Sequence, residues 1–256
     1  MEPTLALLES LARKAGDILR EGQINGFKVS FKGEIDLVTE VDQRSEAFLL
    51  SEIAHQFPSH RVIAEETGEV EGDCDCAWFV DPLDGTVNYA HGVPFYAVSI
   101  AYQKEGELRL GVVYDPMRDE CFTAERGRGA WLNGHPLQVS TQTQLLQSLL
   151  VTGFPYDIRT NPDNNLDHYA RFSLLSQGVR RMGSAALDLC YVAAGRFEGF
   201  WEIQIKSYDI AAGGLIAEEA GAVVTNVHGS KDYLDAPISI LAATPGIYAE
   251  MLQLVG

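Results

Sequence analysis

This chain is short of positive charge. Against 36 Asp and Glu it carries 19 Lys and Arg in 256 residues, a formal net charge of −17. A surface that acidic repels phosphate backbones and anionic lipid, so neither nucleic acid nor a membrane is expected as a partner. Long apolar runs are missing as well: none approaches the ~20 residues of a membrane span. Cysteine is scarce, at 4 residues (Cys74, Cys76, Cys121 and Cys190). The acidic opening Met1-Glu2-Pro3-Thr4 has the wrong sign for a secretory leader. A cytoplasmic protein with reduced thiols is therefore expected. Cys74-Asp75-Cys76 lacks the spacing and the second pair of a zinc site, and reads as an acidic turn. Walker loops and His-Glu-x-x-His are absent, and the histidines are scattered. With 11 Phe, 10 Tyr and no extended polar tract, disorder is excluded too.

What is present is the patterning of a folded enzyme-sized chain. Leu5, Leu8, Ala12, Ala15 and Leu19 recur at helical spacing over residues 4–21, ending at Gly22. Residues 29–36 read as a mobile loop or an exposed hairpin, with Lys32 and Gly33 in it. A second helix is predicted over 42–56, burying Ala47, Phe48, Leu50 and Ile53 and stopped by Pro58. Short strands follow at 62–64, 77–80, 96–102, 108–114, 120–124 and 130–132, with Asn133-Gly134 as a hairpin turn. Residues 1–140 thus read as an α+β half, two helices on an antiparallel sheet. From about residue 148 strands and helices alternate, so 141–256 reads as a layered α/β half. Its predicted helices cover 163–176, 184–194 and 208–220, and a last one starts near Pro245.

The chemistry concentrates where apolar strands end in acids. Val62-Ile63-Ala64 runs into Glu65, and Trp78-Phe79-Val80 into Asp81. Buried carboxylates are costly and repel one another unless cations lie between them. Glu65, Asp81 and Asp84 therefore suggest a site for hard divalent cations such as Mg2+. In Asp81-Pro82-Leu83-Asp84-Gly85-Thr86, Pro82 stiffens the turn, Gly85 permits close backbone approach, and the amides from Gly85 onward suit a phosphate. The plain alternative, a turn with a helix-capping Asp84, leaves Glu65 and Asp81 unexplained. The separation of Asp81 from Asp84 differs from that of the haloacid-dehalogenase phosphatases. Gly127-Arg128-Gly129 opens like a dinucleotide fingerprint but lacks its third glycine.

These residues resemble the inositol monophosphatase family over nearly the whole chain. The most specific motif is Asp81-Pro82-Leu83-Asp84-Gly85-Thr86-Val87-Asn88-Tyr89, followed by His91-Gly92. Asp36 to Asp42, Ala64-Glu65-Glu66, Gly183-Ser184-Ala185-Ala186 and Tyr208 to Gly213 accompany it in order. The resemblance implies an α-β-α-β-α sandwich of the inositol monophosphatase / fructose-1,6-bisphosphatase type. It also implies a homodimer, lithium sensitivity and roughly two to three Mg2+ per site. By analogy Glu65, Asp81, the Leu83 carbonyl, Asp84 and Asp209 hold metal; on its own, Asp209 reads as a helix N-cap. Glu65 and Thr86 orient water, and Asp42 accepts a hydrogen bond from Thr86. Asp84, Gly85, Thr86, Gly183, Ser184, Ala185 and Glu202 bind substrate, a small phosphorylated polyol or sugar, and Lys32 lies in a loop that closes over the site. Glu202 and Lys32 also have ordinary readings as solvated side chains. Tyr208, Lys206 and Asn226 depart from the residues common at those positions. The expected reaction is Mg2+-dependent hydrolysis of inositol 1-phosphate, with fructose 1,6-bisphosphate, 3′-phosphoadenosine phosphates and histidinol phosphate as alternatives. A non-catalytic regulatory or binding protein on this scaffold is the alternative of another class.

Overall fold

The computed structural model describes residues 2–31, 37–72 and 75–256. Lys32, Gly33, Asp36 and Cys74, singled out in the sequence, lie outside the described residues.

Helix α1 (Leu5–Asn25) is capped by Thr4, whose hydroxyl accepts from the Leu7 N–H. A hairpin of β1 (Val29–Phe31) and β2 (Leu37–Thr39) leads into α2 (Glu40–Gln56). Thr39 and Asp42 close a reciprocal capping box at its start. Here the structure corrects the sequence reading. Ala47 is exposed and Phe48 and Leu50 are half-buried, whereas Val41, Asp42, Ser45, Glu46, Leu49 and Ile53 form the buried face. Apolar spacing alone misplaces the face because polar residues occupy much of it: Asp42 accepts the Thr86 hydroxyl, and Ser45 and Glu46 bond to backbone groups of the site's turns.

The first sheet contains β3 (Arg61–Ala64), β4 (Gly68–Val70), β5 (Cys76–Asp84), β6 (Ala97–Lys104), β7 (Glu107–Asp115), β8 (Glu120–Glu125), β9 (Gly129–Leu132) and β10 (His135–Pro136). Its order is β10-β9-β8-β7-β6-β5-β3-β4. A short helix, α3 (Thr86–Ala90), interrupts the run between β5 and β6. The sheet is not purely antiparallel, as the sequence reading has it: β3 runs parallel to β5, with Val62 opposite Trp78 and Ala64 opposite Val80. Parallel pairing brings the carboxyl ends of both strands to one edge, so Glu65 and Asp81 emerge together. Asn133 and Gly134, both with positive φ, turn β9 into β10. Gly127 and Gly129 lie in the β8–β9 turn, where their amides bond the Glu219 carboxylate.

The second sheet contains β11 (Leu149–Thr152), β12 (Gly178–Arg180), β13 (Gly199–Glu202), β14 (Val223–Thr225) and β15 (Ile240–Ala243), in the order β12-β11-β13-β15-β14. Its companion helices are α4 (Leu166–Leu175), α5 (Ala185–Ala193), α6 (Ser207–Glu219) and α7 (Pro245–Val255). Strand alternation builds the layers. On β5, Trp78 and Val80 pack with α1 and α2, and Phe79 packs with α5 and α6. On β15, Ile240 and Ala242 face α5 and α6, and Leu241 and Ala243 face Ile247 and Met251 of α7. The result is an α-β-α-β-α sandwich with α5 and α6 in the middle. Both sides of those helices are covered, which explains runs such as Ile210–Ala217 that are buried throughout. Among the described residues no helix is long and apolar enough to cross a membrane.

Candidate active site

A cavity of about 650 Å³ opens at the edge where β3 and β5 end, with the start of α5 and α6 and the end of β13 around it. On β5, the step from Asp81 to Asp84 is met by the step from Ser99 to Ala97 on β6, so β5 carries one extra residue. In a regular strand positions 81 and 84 would point to opposite faces. The bulge turns both carboxylates toward the same cavity. Gly85 follows in the left-handed region (φ 97°, ψ 35°). A Cβ there would stand 3.1–3.2 Å from the Phe95 and Gly183 carbonyl oxygens and Tyr96 Cβ. Only glycine meets both demands without strain.

The polar face of α2 registers these turns. Thr86 Oγ1 lies 3.0 Å from Asp42 Oδ1 and 3.0 Å from the Leu83 carbonyl. Ser45 donates its hydroxyl to the Pro82 carbonyl at 3.1 Å. The Glu46 carboxylate accepts the amides of Glu66 (2.8 Å) and Thr67 (2.7 Å), fixing the chain just beyond Glu65. From the other side, Asp84 Oδ2 accepts the Ser184 hydroxyl at 2.6 Å and the Ala186 amide at 2.7 Å. Asp84 thus sits at the amino end of α5, where free amides favour an anion. Asp209, in the first turn of α6, accepts the Lys206 amide at 3.1 Å.

Electrostatics sets this cluster apart. Burial, then the charges of Glu65, Asp84 and Asp209, push the Asp81 carboxyl well above its ordinary range. Burial, then Asp84 and Glu65, do the same to Asp209. Burial raises Asp84 only to about 6, because the Ser184 hydroxyl and the amides of α5 favour its charge. Carboxylates that oppose one another's ionisation form a cation-seeking, all-oxygen donor set, the kind hard divalent ions prefer. As placed, no three acidic, His or Cys groups among the described residues converge into a ready metal shell. The fit to a metal therefore rests on donor chemistry and mutual repulsion.

Glu202, at the end of β13, is 8% exposed and lines the cavity. Burial raises its carboxyl to about 8, against the pull of Arg181 and with the push of Asp84. Gly183, Ser184 and Ala185 line the same cavity, and Phe154, Pro155, Tyr156, Ile158 and Ile205 supply apolar wall. Lys206 also lines it. Tyr208 contributes its carbonyl as acceptor for Ser99, and burial beside Asp209, Glu65 and Asp81 raises its hydroxyl pKa. Asn226 stands away from the cavity and caps its own loop, accepting the His228 and Ser230 amides. Among the cavity residues without an assignment from the sequence, two stand out. Arg181 is a cation amid the acids. Asp188 is 2% exposed, its carboxyl pushed well up by burial and then by Asp84 and Glu202, and its Oδ1 has no hydrogen-bond partner. An acid inside the apolar run Ala186 to Val192 was the available signal for Asp188.

Known proteins share this arrangement's sequence and fold. A Pasteurella multocida protein named Nus factor SuhB is 43% identical over 260 residues, covering 99% of this chain and 96% of its own. The inositol monophosphatase of Anabaena (Nostoc) sp. PCC 7120 superposes with a TM-score of 0.89 at 40% identity, covering 98% of this chain and 94% of its own. The extragenic suppressor protein suhB of Bartonella henselae does so with a TM-score of 0.90 at 38% identity, covering 97% and 96%. With the five-layer sandwich and the acid-lined cavity already in place, the match of residues 1–255 to the profile described as the inositol monophosphatase family means that the chain belongs to that family.

Proposed function

We propose that this chain hydrolyses small phosphate monoesters, with inositol 1-phosphate as the leading substrate. The observation that carries the reading is the set of mutually repelling carboxylates of buried Asp81 and half-buried Asp84 and Asp209 beside Glu65, facing a cavity large enough for a sugar phosphate.

Glu65, Asp81, the Leu83 carbonyl, Asp84 and Asp209 are the residues suited to hold Mg2+, which when bound eases deprotonation of water and neutralises charge on the phosphoryl oxygens. The rest falls to the chain itself. The Thr86 hydroxyl, with its proton directed to Asp42 or to the Leu83 carbonyl, offers a lone pair to a hydrogen of the attacking water. Glu65 takes the other hydrogen bond and orients the water oxygen toward phosphorus. The new P–O bond forms as the bond to the alcohol oxygen breaks; the attacking water gives up one proton toward Glu65 and keeps the other on the phosphate, and a solvent water in the cavity supplies the proton with which the alcohol leaves. Amides at Gly85, Thr86 and Ser184 are suited to the phosphoryl oxygens. Glu202 accepts a hydroxyl of the leaving alcohol, fixing its orientation.

A phosphate-release panel tests this, run with and without Mg2+ and Li+ on inositol 1-phosphate, fructose 1,6-bisphosphate, a 3′-phosphoadenosine phosphate and histidinol phosphate. Asp84→Asn is expected to lower turnover at least ~100-fold, the scale of losing one key electrostatic group. Near-normal turnover of that variant at saturating Mg2+ would sink the assignment. The relative named a Nus factor supports a second reading, a binding role on the same scaffold. No Mg2+-stimulated hydrolysis across the panel would favour it. The buried acids argue the other way, since a scaffold without catalysis has no physical need for them.

A further inference from the structure

The Glu202 carboxylate rests on bare backbone. A Cβ added at Gly153 would lie 2.3 Å from Glu202 Oε2 and 2.7 Å from Oε1, so the carboxylate is seated against the Gly153 Cα. The position of that seat decides where Glu202 presents its oxygens to the cavity. Strand pairing does not hold it: the β11–β13 register ends at Thr152 opposite Trp201.

Asn165 takes over where the ladder stops. It is 2% exposed and stands just before α4. Its Nδ2 donates to the Gly153 carbonyl at 2.7 Å and to Thr152 Oγ1 at 2.9 Å. Its Oδ1 accepts the Trp201 indole N–H at 2.7 Å. Thr152 Oγ1 in turn donates to the Trp201 carbonyl at 2.6 Å, closing a ring of bonds around the residue that precedes Glu202. Asn165 adopts φ 71°, a left-handed conformation that asparagine tolerates better than most side chains. A side chain with both donors and an acceptor is required there, and only an amide supplies them at that size.

We infer that Asn165 is a positioning residue for substrate recognition: by tying Gly153 to Trp201 it sets the Glu202 carboxylate at the depth where it accepts a hydroxyl of the leaving alcohol. This rests on the proposed role of Glu202. Asn165 touches neither the phosphate end of the cavity nor its acidic cluster, so its influence falls on the alcohol and not on the phosphoryl group.

Steady-state kinetics on inositol 1-phosphate and p-nitrophenyl phosphate, whose leaving group has no free hydroxyl, separates the cases. Asn165→Asp replaces both donors with acceptors at nearly constant shape. It is expected to raise KM for inositol 1-phosphate roughly tenfold, as when a site built for a hydroxyl loses its alignment. Values of kcat on both esters and KM for p-nitrophenyl phosphate stay within about twofold. Glu202→Leu, which removes both oxygens at similar size, should give a similar selective loss, and the double variant little more than either single one, because coupled residues are non-additive. Thr152→Val removes the neighbouring hydroxyl at constant shape and should shift KM in the same direction, which keeps the test decisive if Asn165→Asp does not fold. Additive losses, equal losses on both esters, or wild-type selectivity in a folded Asn165→Asp or Thr152→Val would overturn the inference while leaving Glu202 in place. Wild-type selectivity in Glu202→Leu would overturn the reading of Glu202 and this inference with it.

Discussion

Asp81→Asn should make the metal-free protein more stable while removing its activity. Asp81 is 1% exposed, and burial and the charges of Glu65, Asp84 and Asp209 oppose its ionisation. Its carboxylate accepts the Leu83 amide at 2.9 Å, a bond that an asparagine oxygen can keep. The substitution therefore deletes a disfavoured charge without opening a cavity. Relief of a buried, uncompensated charge is worth about 2 kcal/mol, and in a chain of this size that corresponds to roughly 4–8 °C in Tm. The pH dependence fixes the sign. A carboxyl whose folded pKa is raised holds more protons folded than unfolded. Wild-type stability must then fall as pH climbs from the ordinary carboxylate range through the raised value. The advantage of the asparagine variant should therefore be larger at pH 8 than at pH 5. Thermal melts in EDTA at both pH values measure it, and Mg2+ titration adds a second arm: wild type should gain Tm with the ion and the variant should gain little. An Asp81→Asn protein that melts at or below wild type in EDTA at pH 8 would refute the claim that this cluster is held against its own repulsion.

The sequence made the local chemistry legible and grouped Glu65, Asp81 and Asp84, with Asp209 added by resemblance, but the geometry that brings them together was not legible. Asp81 to Thr86 could be read because its residues act within one turn, with Pro82 and Gly85 announcing an unusual backbone. Pairing Glu65 with Asp81 requires β3 to run parallel to β5 inside a mostly antiparallel sheet, and no residue in either strand encodes that direction. The bulge that swings Asp81 and Asp84 to one side is equally silent, since it appears only in the register with β6. On α2 the pattern misled: periodicity counts apolar residues, while the buried face carries Asp42, Ser45 and Glu46, each satisfied by a partner distant in sequence. Asp188 and Asn165 went unassigned because one buried acid or one buried amide has no periodic signature. Their meaning comes from Glu202 and Gly153, which only the fold brings near. The sequence thus specifies the reacting turn and, through resemblance, Glu202 and the Gly183 to Ala185 segment, whereas the bonds that seat Glu202 become visible only once β11, β13 and α4 are assembled.

Two further substitutions probe the reacting turn. Thr86→Val keeps the shape but leaves buried Asp42 Oδ1 without its donor; a stability loss of about 1–3 kcal/mol and a fall in kcat of about 100-fold are expected, with KM little changed and Thr86→Ser restoring much of both. Equal kcat in the valine variant would remove the hydroxyl from the mechanism. Gly85→Ala tests whether the turn's backbone, as distinct from its side chains, organises the site. Two costs combine: alanine at φ 97° carries left-handed strain, and its Cβ would meet the Phe95 and Gly183 carbonyl oxygens and Tyr96 Cβ at 3.1–3.2 Å. Neither carbonyl is the free end of a flexible side chain, so relief requires moving the segment before β6 or the loop before α5. That loop ends at Ser184 and leads directly into Ala186 in the first turn of α5, the two groups bonded to Asp84. Strain and displacement together should cost about 2–4 kcal/mol, lower Tm accordingly, and depress turnover even in the fraction that remains folded, because Asp84 loses the two donors that hold its carboxylate. Melting curves and phosphate release on the same preparation separate these effects. A Gly85→Ala protein with wild-type Tm and activity would show that the left-handed turn is dispensable, and that Asp81 and Asp84 find their common orientation by the bulge alone.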